Sequence, residues 1–333
     1  MLTVQTSSLN SQQLLDRTDV LAVVDFDAAP GHRPTDPRRI ITPLDTSAAL
    51  REVWVSNAGE VTTGRSGDIL YAQSPDETVG TLILADNGED LETLAYQAYS
   101  QLLTWLDQHE HRQLWRVWNY FSRINTGEGD SERYRRFSLG RQRALRESSL
   151  PDRALPPATA IGCAADQVFL MFIAGSEPGK PIENPRQISA YRYPRQYGPA
   201  SPSFARAAKV GPANTEGTLI VSGTASIVGH ETQHEGDWQR QLEETFRNLT
   251  SLTRLAGTAA APSSLRVYAR PSVPVDEVTA RIRQEWGANT PIIPLYGEIC
   301  RRDLLLEIEG VWPLATAKVE RHAATAGGTA IRT

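Results

Sequence analysis

The sequence predicts an α+β fold built from two related halves, each a mixed β-sheet packed by helices. Three observations support this prediction: β-like runs precede helical runs in both parts of the chain, the order repeats, and a proline-rich stretch separates the parts. The chain has 333 residues and 40% hydrophobic content, which is enough for a core in each half. We place the halves at residues 1–150 and 158–314, and a disordered tail without a core-forming pattern at residues 315–333.

The sequence of the first half predicts short strands followed by one helix. Apolar residues recur at i, i+3 and i+4 spacing from Leu91 to Leu106, which is typical of an amphipathic helix. Aromatic and β-branched residues dominate residues 114–121 and predict a strand there. Residues 149–157 contain three prolines and are interpreted as the linker between the halves. The earlier β-like runs are residues 20–26, 53–55, 69–72 and 81–84.

The second half predicts the same order with two helices. The first helix follows Asp237, a suitable N-cap, and ends at Gly257, a suitable C-cap. The second helix places Val275, Val278 and Ile282 on one stripe. Candidate strands are residues 168–174, 187–193, 218–222 and 265–269, followed by a predicted hairpin around residues 301–303.

The last predicted strand carries the most informative acid. Period-2 alternation places Leu304, Leu306, Ile308 and Trp312 on one face and Leu305, Glu307, Glu309 and Val311 on the other. An apolar environment disfavours the ionised form of a carboxyl, so Glu307 could hold a proton near neutral pH. The hairpin would bring Cys300 close to Glu307. The alternative is that both glutamates form the solvent-facing side of an edge strand.

Composition and charge exclude several classes of protein. The net charge of −5 and the pI of about 5.8 argue against a broad polyanion-binding surface, so no nucleic-acid partner is expected. We expect the arginines of residues 133–143 to pair with acids between the halves. The sequence has neither a long apolar run nor a secretory signal, which predicts no membrane partner and a cytoplasmic protein. Both cysteines, Cys163 and Cys300, are expected to be free thiols.

An arginine- and tyrosine-rich loop at residues 183–206 predicts a binding surface. Guanidinium groups match carboxylates in bidentate hydrogen bonds, and phenol groups add donors without adding charge. We interpret the loop as holding a small, ring-shaped carboxylated ligand, and the alternative is a solvated surface loop. A turn at residues 222–226, including Ser222 and Thr224, is interpreted as a source of backbone donors to ligand oxygens. The loop residues concerned are Tyr191, Tyr193, Tyr197, Arg192, Arg195 and Arg206.

The segment His230-Glu231-Thr232-Gln233-His234 matches the H-E-x-x-H pattern of zinc enzymes. On a helix this spacing puts both imidazoles on one face, with the glutamate as base. Here Gly229 precedes the motif, and the helical stripe begins only after Asp237. We therefore place His230 and His234 in an entry loop and expect no metal, and a zinc hydrolase is kept as the alternative.

Five segments, taken as a set, resemble the chorismatase family, whose members cleave the enolpyruvyl ether of chorismate. The set runs over most of the chain and is specific, although each segment alone is a weak signal. The second half also resembles the small ligand-binding fold of the reactive-intermediate deaminase (YjgF/RidA) superfamily, whose last strand carries a similar Glu-Ile-Glu sequence. We interpret the first half as a pseudo-domain of the same type. The segments are WRVWNYFSRIN at 115–125, ERYRRFSLGR at 132–141, AYRYPRQYGPASPSFAR at 190–206, SGTASIVGHETQHEGD at 222–237 and ICRRDLLLEIEG at 299–310.

This resemblance implies roles for individual residues. Glu307 would be the catalytic acid/base, and Tyr193 and Arg206 would bind the substrate. Cys300 falls where hydroxybenzoate-forming members have a cysteine that assists the chemistry, and we expect the arginines at 301–302 to lower its pKa towards the thiolate. The other predicted substrate-binding residues are Tyr197, Arg195, Ser222 and Thr224.

The resemblance implies a cofactor-independent enzyme that converts chorismate to pyruvate and 3-hydroxybenzoate, in some members together with 4-hydroxybenzoate. We interpret Cys300 as favouring the aromatic product. The alternative product is 3,4-dihydroxycyclohexa-1,5-diene carboxylate, formed by hydrolysis, and a binder without turnover is a further alternative. The second half is expected to hold the active site. The related deaminases are trimers, whereas we expect a monomer here, with a trimer as the alternative.

Overall fold

The computed structural model describes residues 2–28, 34–111, 113–148, 155–211 and 217–314. These residues form twenty β-strands and five α-helices, arranged in three larger β-sheets and one two-stranded sheet. The predicted tail at residues 315–333 and most of the predicted linker, residues 149–154, lie outside the described residues. None of the described helices is long and apolar enough to cross a membrane.

The elements are numbered in chain order. The first part of the chain contains β1 (Leu2–Ser7), α1 (Ser11–Leu15), β2 (Val20–Phe26), β3 (Arg39–Thr42), β4 (Asp45–Thr46), β5 (Arg51–Ser56), β6 (Thr62–Ser66), β7 (Ile69–Gln73), β8 (Glu77–Ala85), α2 (Leu91–Asp107), β9 (Gln113–Ser122), α3 (Arg133–Glu147), β10 (Ala158–Cys163) and β11 (Gln167–Gly175). The remainder contains β12 (Lys180–Ile182), β13 (Ala207–Val210), β14 (Thr218–Thr224), β15 (Ile227–Val228), β16 (Glu231–Thr232), α4 (Trp238–Ala256), β17 (Ser264–Ala269), α5 (Val275–Trp286), β18 (Ile292–Tyr296), β19 (Glu298–Ile299) and β20 (Leu306–Pro313).

The two seven-stranded sheets repeat one topology. Their strand orders are β19-β10-β9-β11-β8-β7-β6 and β12-β13-β14-β20-β17-β18-β4. In each sheet three strands precede a long helix, α2 or α4, and a shorter helix, α3 or α5, then connects a parallel pair, β9 with β10 or β17 with β18. Edge strands are exchanged, since β4 joins the second sheet and β19 joins the first. The predicted α+β fold with two related halves of mixed sheet is confirmed.

The division between the two repeated sheets falls between Gly175 and Lys180. Strands β10 and β11 therefore belong to the first repeated sheet, although they follow the predicted linker in sequence. In the structure, the first half is the part of the chain up to Gly175, and the second half is the part from Lys180 onwards. Strands β1, β5, β2 and β3 form a separate four-stranded sheet that precedes the repeat. Its buried Trp54 lies in one apolar cluster with Phe169 of the first repeated sheet and Tyr268 of the second.

The helices cover the outer faces of the two repeated sheets, and the inner faces pack against each other. Helices α2 and α3 bury residues such as Leu94 and Phe137 against the first sheet. Helix α4 buries residues such as Leu242 against the second sheet. Both predicted caps of α4 are confirmed, because the Asp237 side chain accepts a backbone N–H of the first turn and Gly257 has a φ of +72°.

Strand β20 lies at the centre of the second sheet, between β14 and β17. The predicted alternation is confirmed within β20, since Leu306, Ile308 and Trp312 pack in the helix-covered core, whereas Glu307 and Glu309 face the other half. It is wrong before the strand begins, because Leu304 packs in the cluster between the halves and Leu305 packs against the helix-covered core. The alternative of a solvent-facing edge strand is wrong, because Glu307 is 5% exposed and Glu309 is 3% exposed. Both carboxyl groups are therefore buried between the halves.

Three local predictions are wrong. The first half contains α1 and α3 in addition to the single predicted helix, which corresponds to α2. Residues 187–193 contain a 3₁₀ turn, Ala190–Arg192, instead of a strand, and the flanking prolines Pro185 and Pro194 lack the backbone donors that a strand needs. The hairpin around residues 301–303 does not form, because β19 pairs with β10 of the first sheet while β20 pairs with β14 and β17 of the second. The segment between β19 and β20 crosses from one sheet to the other.

Candidate active site

A cavity of about 550 Å³ lies between the two halves. The first half contributes Tyr134 and Arg141 of α3 and Thr159 of β10. The second half contributes Gly223 of β14, a residue of β20, and side chains of the loops that precede β13 and β20. This volume is in the range of small-molecule binding sites. The predicted site residues that line the cavity are Tyr193, Tyr197, Arg206, Cys300 and Glu307.

Glu307 reaches the cavity from the centre of the second sheet. Burial, followed by the charge of Glu309, raises the pKa of Glu307 from the ordinary 4.5 to about 8, against the opposing effects of Arg116 and Arg206. None of the described residues donates a hydrogen bond to this carboxyl. The Glu307 carboxyl is therefore mostly protonated at neutral pH and can act as a proton donor.

Gly223 makes room for the Glu307 carboxyl. A Cβ atom at position 223 would lie 1.7 Å from Glu307 Oε1 and 3.0 Å from Thr159 Oγ1. The backbone N–H of Gly223 donates to Thr159 Oγ1 at 2.9 Å, which ties β14 to β10 beside the cavity. The absence of a side chain therefore permits the close approach of Glu307 to β14.

Glu309, two residues further along the same face, has a different environment. Its carboxylate accepts hydrogen bonds from Trp118 Nε1 and Thr159 Oγ1, both at 2.5 Å, and from Arg116 Nη2. Arg266 Nη1 lies 3.6 Å from Glu309 Oε1. Local sequence pattern indicates no role for Glu309, because its partners lie on strands that are distant in sequence.

Cys300 lines the cavity at the start of the segment that crosses between the sheets. Burial, followed by the charge of Glu307, raises the pKa of the Cys300 thiol to about 12, while Arg301 opposes this shift. The prediction that Arg301 or Arg302 favours a thiolate is therefore wrong, because desolvation outweighs the nearby positive charge. Arg302 instead donates to the backbone oxygen of Gly127 at 2.6 Å. Cys300 is a neutral thiol that can donate a proton or a weak hydrogen bond.

The tyrosine-rich loop forms one wall of the cavity. Arg206 is 4% exposed, and its Nη2 donates to Tyr193 Oη at 2.8 Å and to the backbone oxygen of Ile188 at 2.9 Å. Its Nε has no partner among the described residues. Arg301 lies over the Tyr197 ring, with 4.1 Å between Arg301 Cζ and the ring centroid. This wall therefore holds a buried cation that has an unused donor.

Arg141 is a second buried cation on the cavity, and it was not among the predicted site residues. It is 2% exposed, it lies over the Phe137 ring, and its Nε and Nη2 have no partner among the described residues. Arg133 of the same helix does pair with an acid, but that acid, Asp86, belongs to the same half and not to the other half as predicted. Tyr134 precedes Arg141 by two helical turns and also lines the cavity. The spacing of seven residues, which places both on one face of α3, is the sequence feature that could have predicted Arg141 as a site residue.

Three predicted substrate-binding residues lie away from the cavity. Arg195 is paired with Asp130 at the surface, with 2.5 Å between Nη2 and Oδ2. Ser222 Oγ donates to the backbone oxygen of Arg206 at 2.8 Å, and Thr224 Oγ1 donates to the backbone oxygen of Ser222 at 2.9 Å. The two buried hydroxyls support the wall that holds Arg206, and this placement does not support direct substrate contacts by these three side chains.

The histidine motif lies outside any helix, as predicted. Strand β16 covers its middle residues, and α4 starts only after the motif. His230 Nδ1 lies 3.2 Å from Tyr197 Oη, and His234 Nε2 lies 3.8 Å from Glu244 Oε2. In the part of the chain that the structure describes, no group of three or more His, Cys, Asp or Glu side chains is arranged to hold a metal ion.

A protonated carboxyl and two buried guanidinium groups around one cavity define an enzyme-type site for a small anionic substrate. A family model described as "Chorismatase FkbO/Hyg5-like, N-terminal" matches residues 52–174. The chain is 33% identical to a 3-hydroxybenzoate synthase of Streptomyces hygroscopicus over 281 residues, which cover 80% of this chain and 82% of the relative. It is 32% identical to a chorismatase of Streptomyces rapamycinicus over 79% of this chain and 82% of the relative. The chain belongs to the chorismatase family.

One solved structure gives the same result for the fold. A chorismatase crystal structure matches 95% of this chain and 98% of its own chain, with a TM-score of 0.83 and 28% sequence identity. The resemblance to chorismatases found in the sequence is thereby confirmed. A member of the YjgF/YER057c/UK114 family from Mycobacterium tuberculosis also matches 33% of this chain and 86% of its own chain, with a TM-score of 0.27 and 23% identity.

Proposed function

We propose that the protein cleaves the enolpyruvyl ether of chorismate to pyruvate and 3-hydroxybenzoate. The observation that carries this proposal is the Glu307 carboxyl, whose pKa is raised to about 8 in a cavity that also holds two buried arginines. The relative named 3-hydroxybenzoate synthase supports the product class. Cleavage of an enol ether begins with a proton on its methylene carbon, and we assign that proton to Glu307.

Two separate cations suit a substrate with two carboxylates. Arg141 and Arg206 reach the cavity from different halves, and each keeps a buried N–H without a partner among the described residues. Bidentate pairing of guanidinium with carboxylate fixes both the position and the plane of a ligand. We assign one chorismate carboxylate to each arginine, with Tyr193 and Tyr197 as neutral donors.

The proposed reaction uses Glu307 first as acid and then as base. Its proton converts the enol ether into an oxocarbenium ion, and the resulting carboxylate stabilises that cation. The carboxylate then takes the proton of the adjacent ring hydroxyl, whose oxygen displaces the pyruvyl oxygen at the ring carbon. Pyruvate leaves, and an epoxide of the ring remains.

Opening of the epoxide completes the reaction. The epoxide is an isomer of 3-hydroxybenzoate, so aromatisation requires proton transfers and neither an oxidant nor a cofactor. We assign proton donation at the ring oxygen to the Cys300 thiol, because burial keeps this thiol protonated at neutral pH. The resulting thiolate then takes the ring proton, which gives the phenol and restores the thiol.

Hydrolysis is the second candidate reaction. The relative named only as a chorismatase supports the shared reaction class, and hydrolysis begins with the same protonation by Glu307. Water attack on the oxocarbenium carbon would give pyruvate and 3,4-dihydroxycyclohexa-1,5-diene carboxylate.

One assay distinguishes these reactions. Purified protein is incubated with chorismate, pyruvate is measured with lactate dehydrogenase, and the ring products are separated by liquid chromatography. We expect pyruvate and 3-hydroxybenzoate in equal amounts, with any 4-hydroxybenzoate as a minor product. The diene diol as the main product would favour hydrolysis. A stable complex with chorismate and no pyruvate would identify a binder and overturn the proposed function.

We further propose that the protein acts as a cytoplasmic monomer. Both walls of the cavity come from one chain, so a second subunit is not required to complete it. Both cysteines are free, which suits a reducing compartment. Light scattering after size-exclusion chromatography should give a mass close to the 36.7 kDa of one chain, and a threefold mass would indicate a trimer.

A further inference from the structure

Glu309 is a buried carboxylate for which the proposed reaction has no direct use. It shares a strand and a face with Glu307, two residues away, which places the two side chains about 7 Å apart along the strand. Glu309 is surrounded by donors, whereas none of the described residues donates to Glu307. The two neighbouring acids are therefore in opposite environments.

The partners of Glu309 are hydrogen-bond donors. Arg116 Nη2, Trp118 Nε1 and Thr159 Oγ1 all donate to its carboxylate, and the bond from the guanidinium is charge-assisted. Arg266 adds a second positive charge, but it is shared with buried Glu52, with 2.5 Å between Arg266 Nη2 and Glu52 Oε1. Two buried arginines thus balance two buried glutamates in this network.

The same contacts hold the cavity wall. Arg116 and Trp118 lie on β9 and Thr159 lies on β10, so Glu309 joins the second half to the first. Thr159 also accepts the backbone N–H of Gly223, the residue whose missing side chain admits the Glu307 carboxyl. The position of Glu307 therefore depends on a chain of contacts that starts at Glu309.

We propose that Glu309 is a positioning residue for Glu307: its fixed negative charge retains the proton on Glu307, and its contacts hold the wall that Glu307 faces. This inference rests on the proposed function, in which Glu307 is the acid. Both oxygens of Glu309 accept hydrogen bonds from protein donors, and Glu309 does not contact the substrate in this proposal.

Three further acids, Glu128, Glu132 and Asp303, also line the cavity, but Glu309 is the acid whose charge raises the pKa of Glu307. Cys300 and Tyr134 are neutral near pH 7, because burial raises the pKa of each. Burial likewise raises the pKa of Tyr268, which lies opposite Glu307 on β17. The cationic groups facing this region oppose proton retention. They are Arg116 of β9, Arg141 of α3, and Arg206 and Arg301 of the loops.

The test is the pH dependence of pyruvate release by the Glu309→Gln variant. The substitution removes a negative charge and leaves Arg116 uncompensated, and both changes favour ionisation of Glu307. Activity requires protonated Glu307, so it falls as pH rises through the pKa of this group. We expect the alkaline midpoint of the kcat profile to move down by about one pH unit or more. An unchanged midpoint would overturn the proposal, even if kcat is lower at every pH.

Two further variants separate electrostatics from damage to the fold. Arg116→Gln removes the opposing positive charge, so the midpoint should move up, and this opposite shift decides the question if Glu309→Gln does not fold. Glu52→Gln is the matched control, because it removes a carboxylate of the same network that is also buried, at 2% exposure. We expect Glu52→Gln to lower stability and to leave the midpoint within a few tenths of a unit.

A measurement without turnover keeps this inference distinct from the proposed function. The carbonyl band of a protonated carboxylic acid can be followed by infrared spectroscopy of the whole protein as pH is raised. The band assigned to Glu307 is the one lost in Glu307→Gln, and it should disappear at lower pH in Glu309→Gln than in the unmodified protein. If chorismate is not turned over but this shift occurs, the proposed function fails and the role of Glu309 stands. The absence of the shift contradicts that role.

Discussion

The two halves of the protein share a topology and differ at corresponding interior positions. Tyr120 of β9 and Tyr268 of β17, the equivalent strands, are joined by a hydrogen bond of 3.0 Å between their hydroxyl groups. Opposite Tyr120 on β11 lies Phe169, whereas opposite Tyr268 on β20 lies Glu307. Two residues further along, β11 carries Met171 and β20 carries Glu309.

The difference shows how one copy of a repeated fold acquires chemistry. In the first half, Phe169 and Met171 belong to the apolar cluster that includes Trp54 of the four-stranded sheet. In the second half, one carboxyl faces a cavity and the other is bound by donors from the first half. Burial is equally complete in both halves, so burial alone does not distinguish a packing position from a catalytic one.

Replacing the acid of the second half should have the largest effect. In Glu307→Gln the proton donor is lost while the side-chain volume is kept, and we expect pyruvate release to fall by about 10³-fold, within the usual range for a general acid. The matched change in the first half is Phe169→Leu, which should cost about 1 kcal/mol of stability and leave kcat nearly unchanged. Retention of most activity in Glu307→Gln would remove this residue from the mechanism.

The shorter helices of the two halves permit a second comparison. Arg141 of α3 and Arg281 of α5 each lie over a phenylalanine ring, but Arg281 is paired with Glu243, at 2.8 Å, and lies outside the cavity. We expect Arg141→Gln to raise the KM for chorismate by about 10- to 100-fold, because a buried charge-assisted contact to a carboxylate is lost. Arg281→Gln should leave the KM unchanged. Equal effects of the two substitutions would contradict the assignment of Arg141.

The raised pKa of Glu307 also predicts a dependence of stability on pH. In the unfolded chain this carboxyl ionises near the ordinary 4.5, whereas in the folded chain its pKa is about 8. Between these values the folded state binds more protons, so its stability falls as pH rises, by at most about 1.4 kcal/mol per unit from this group. Glutamine does not ionise, so the Glu307→Gln variant should not lose this stability. In chemical denaturation, the free energy of unfolding of the variant should therefore rise relative to that of the unmodified protein as pH increases from 5 to 8. Parallel stability profiles would show that the pKa is not raised.

Substitution of the two cysteines should change the rate of pyruvate release least. Only the substitution of Cys300 should change the ring product. Burial raises the pKa of both Cys163 and Cys300 to about 12, but only Cys300 lines the cavity. We expect Cys300→Ala to release pyruvate within about tenfold of the normal rate and to shift the ring product towards the diene diol. Cys163→Ala should leave both unchanged. An unchanged product ratio in Cys300→Ala would show that the thiol does not take part in aromatisation.

Local pattern was sufficient for much of the fold. The alternation in β20 depends only on neighbouring residues, and so do the caps of α4 at Asp237 and Gly257. The repeated order of elements predicted the two halves in the same way. The alternation and the caps each depend on a few neighbouring residues. The repeat was found by comparing the order of such locally predicted elements in the two parts of the chain.

Predictions that required pairing between distant segments were less successful. Cys300 was expected in a hairpin with Glu307, but β19 pairs with the first sheet, and the thiol reaches the cavity because the segment that follows it crosses between sheets. Arg141 was expected to pair with an acid, and the structure instead places it on the cavity. Arg195 was expected on the ligand and is paired with Asp130 at the surface.

The sequence by itself determined the fold class, the face of β20 that carries the acids, and the family to which the chain belongs. Only the tertiary structure decided which of the two neighbouring carboxyl groups is bound by donors and which lies on the cavity with a raised pKa. Glu307 and Glu309 have the same local pattern, and their difference arises from Arg116, Trp118 and Thr159, which are brought to Glu309 from the other half of the chain. Because electrostatic environment depends on distance in space and not on distance along the chain, no local pattern contains it.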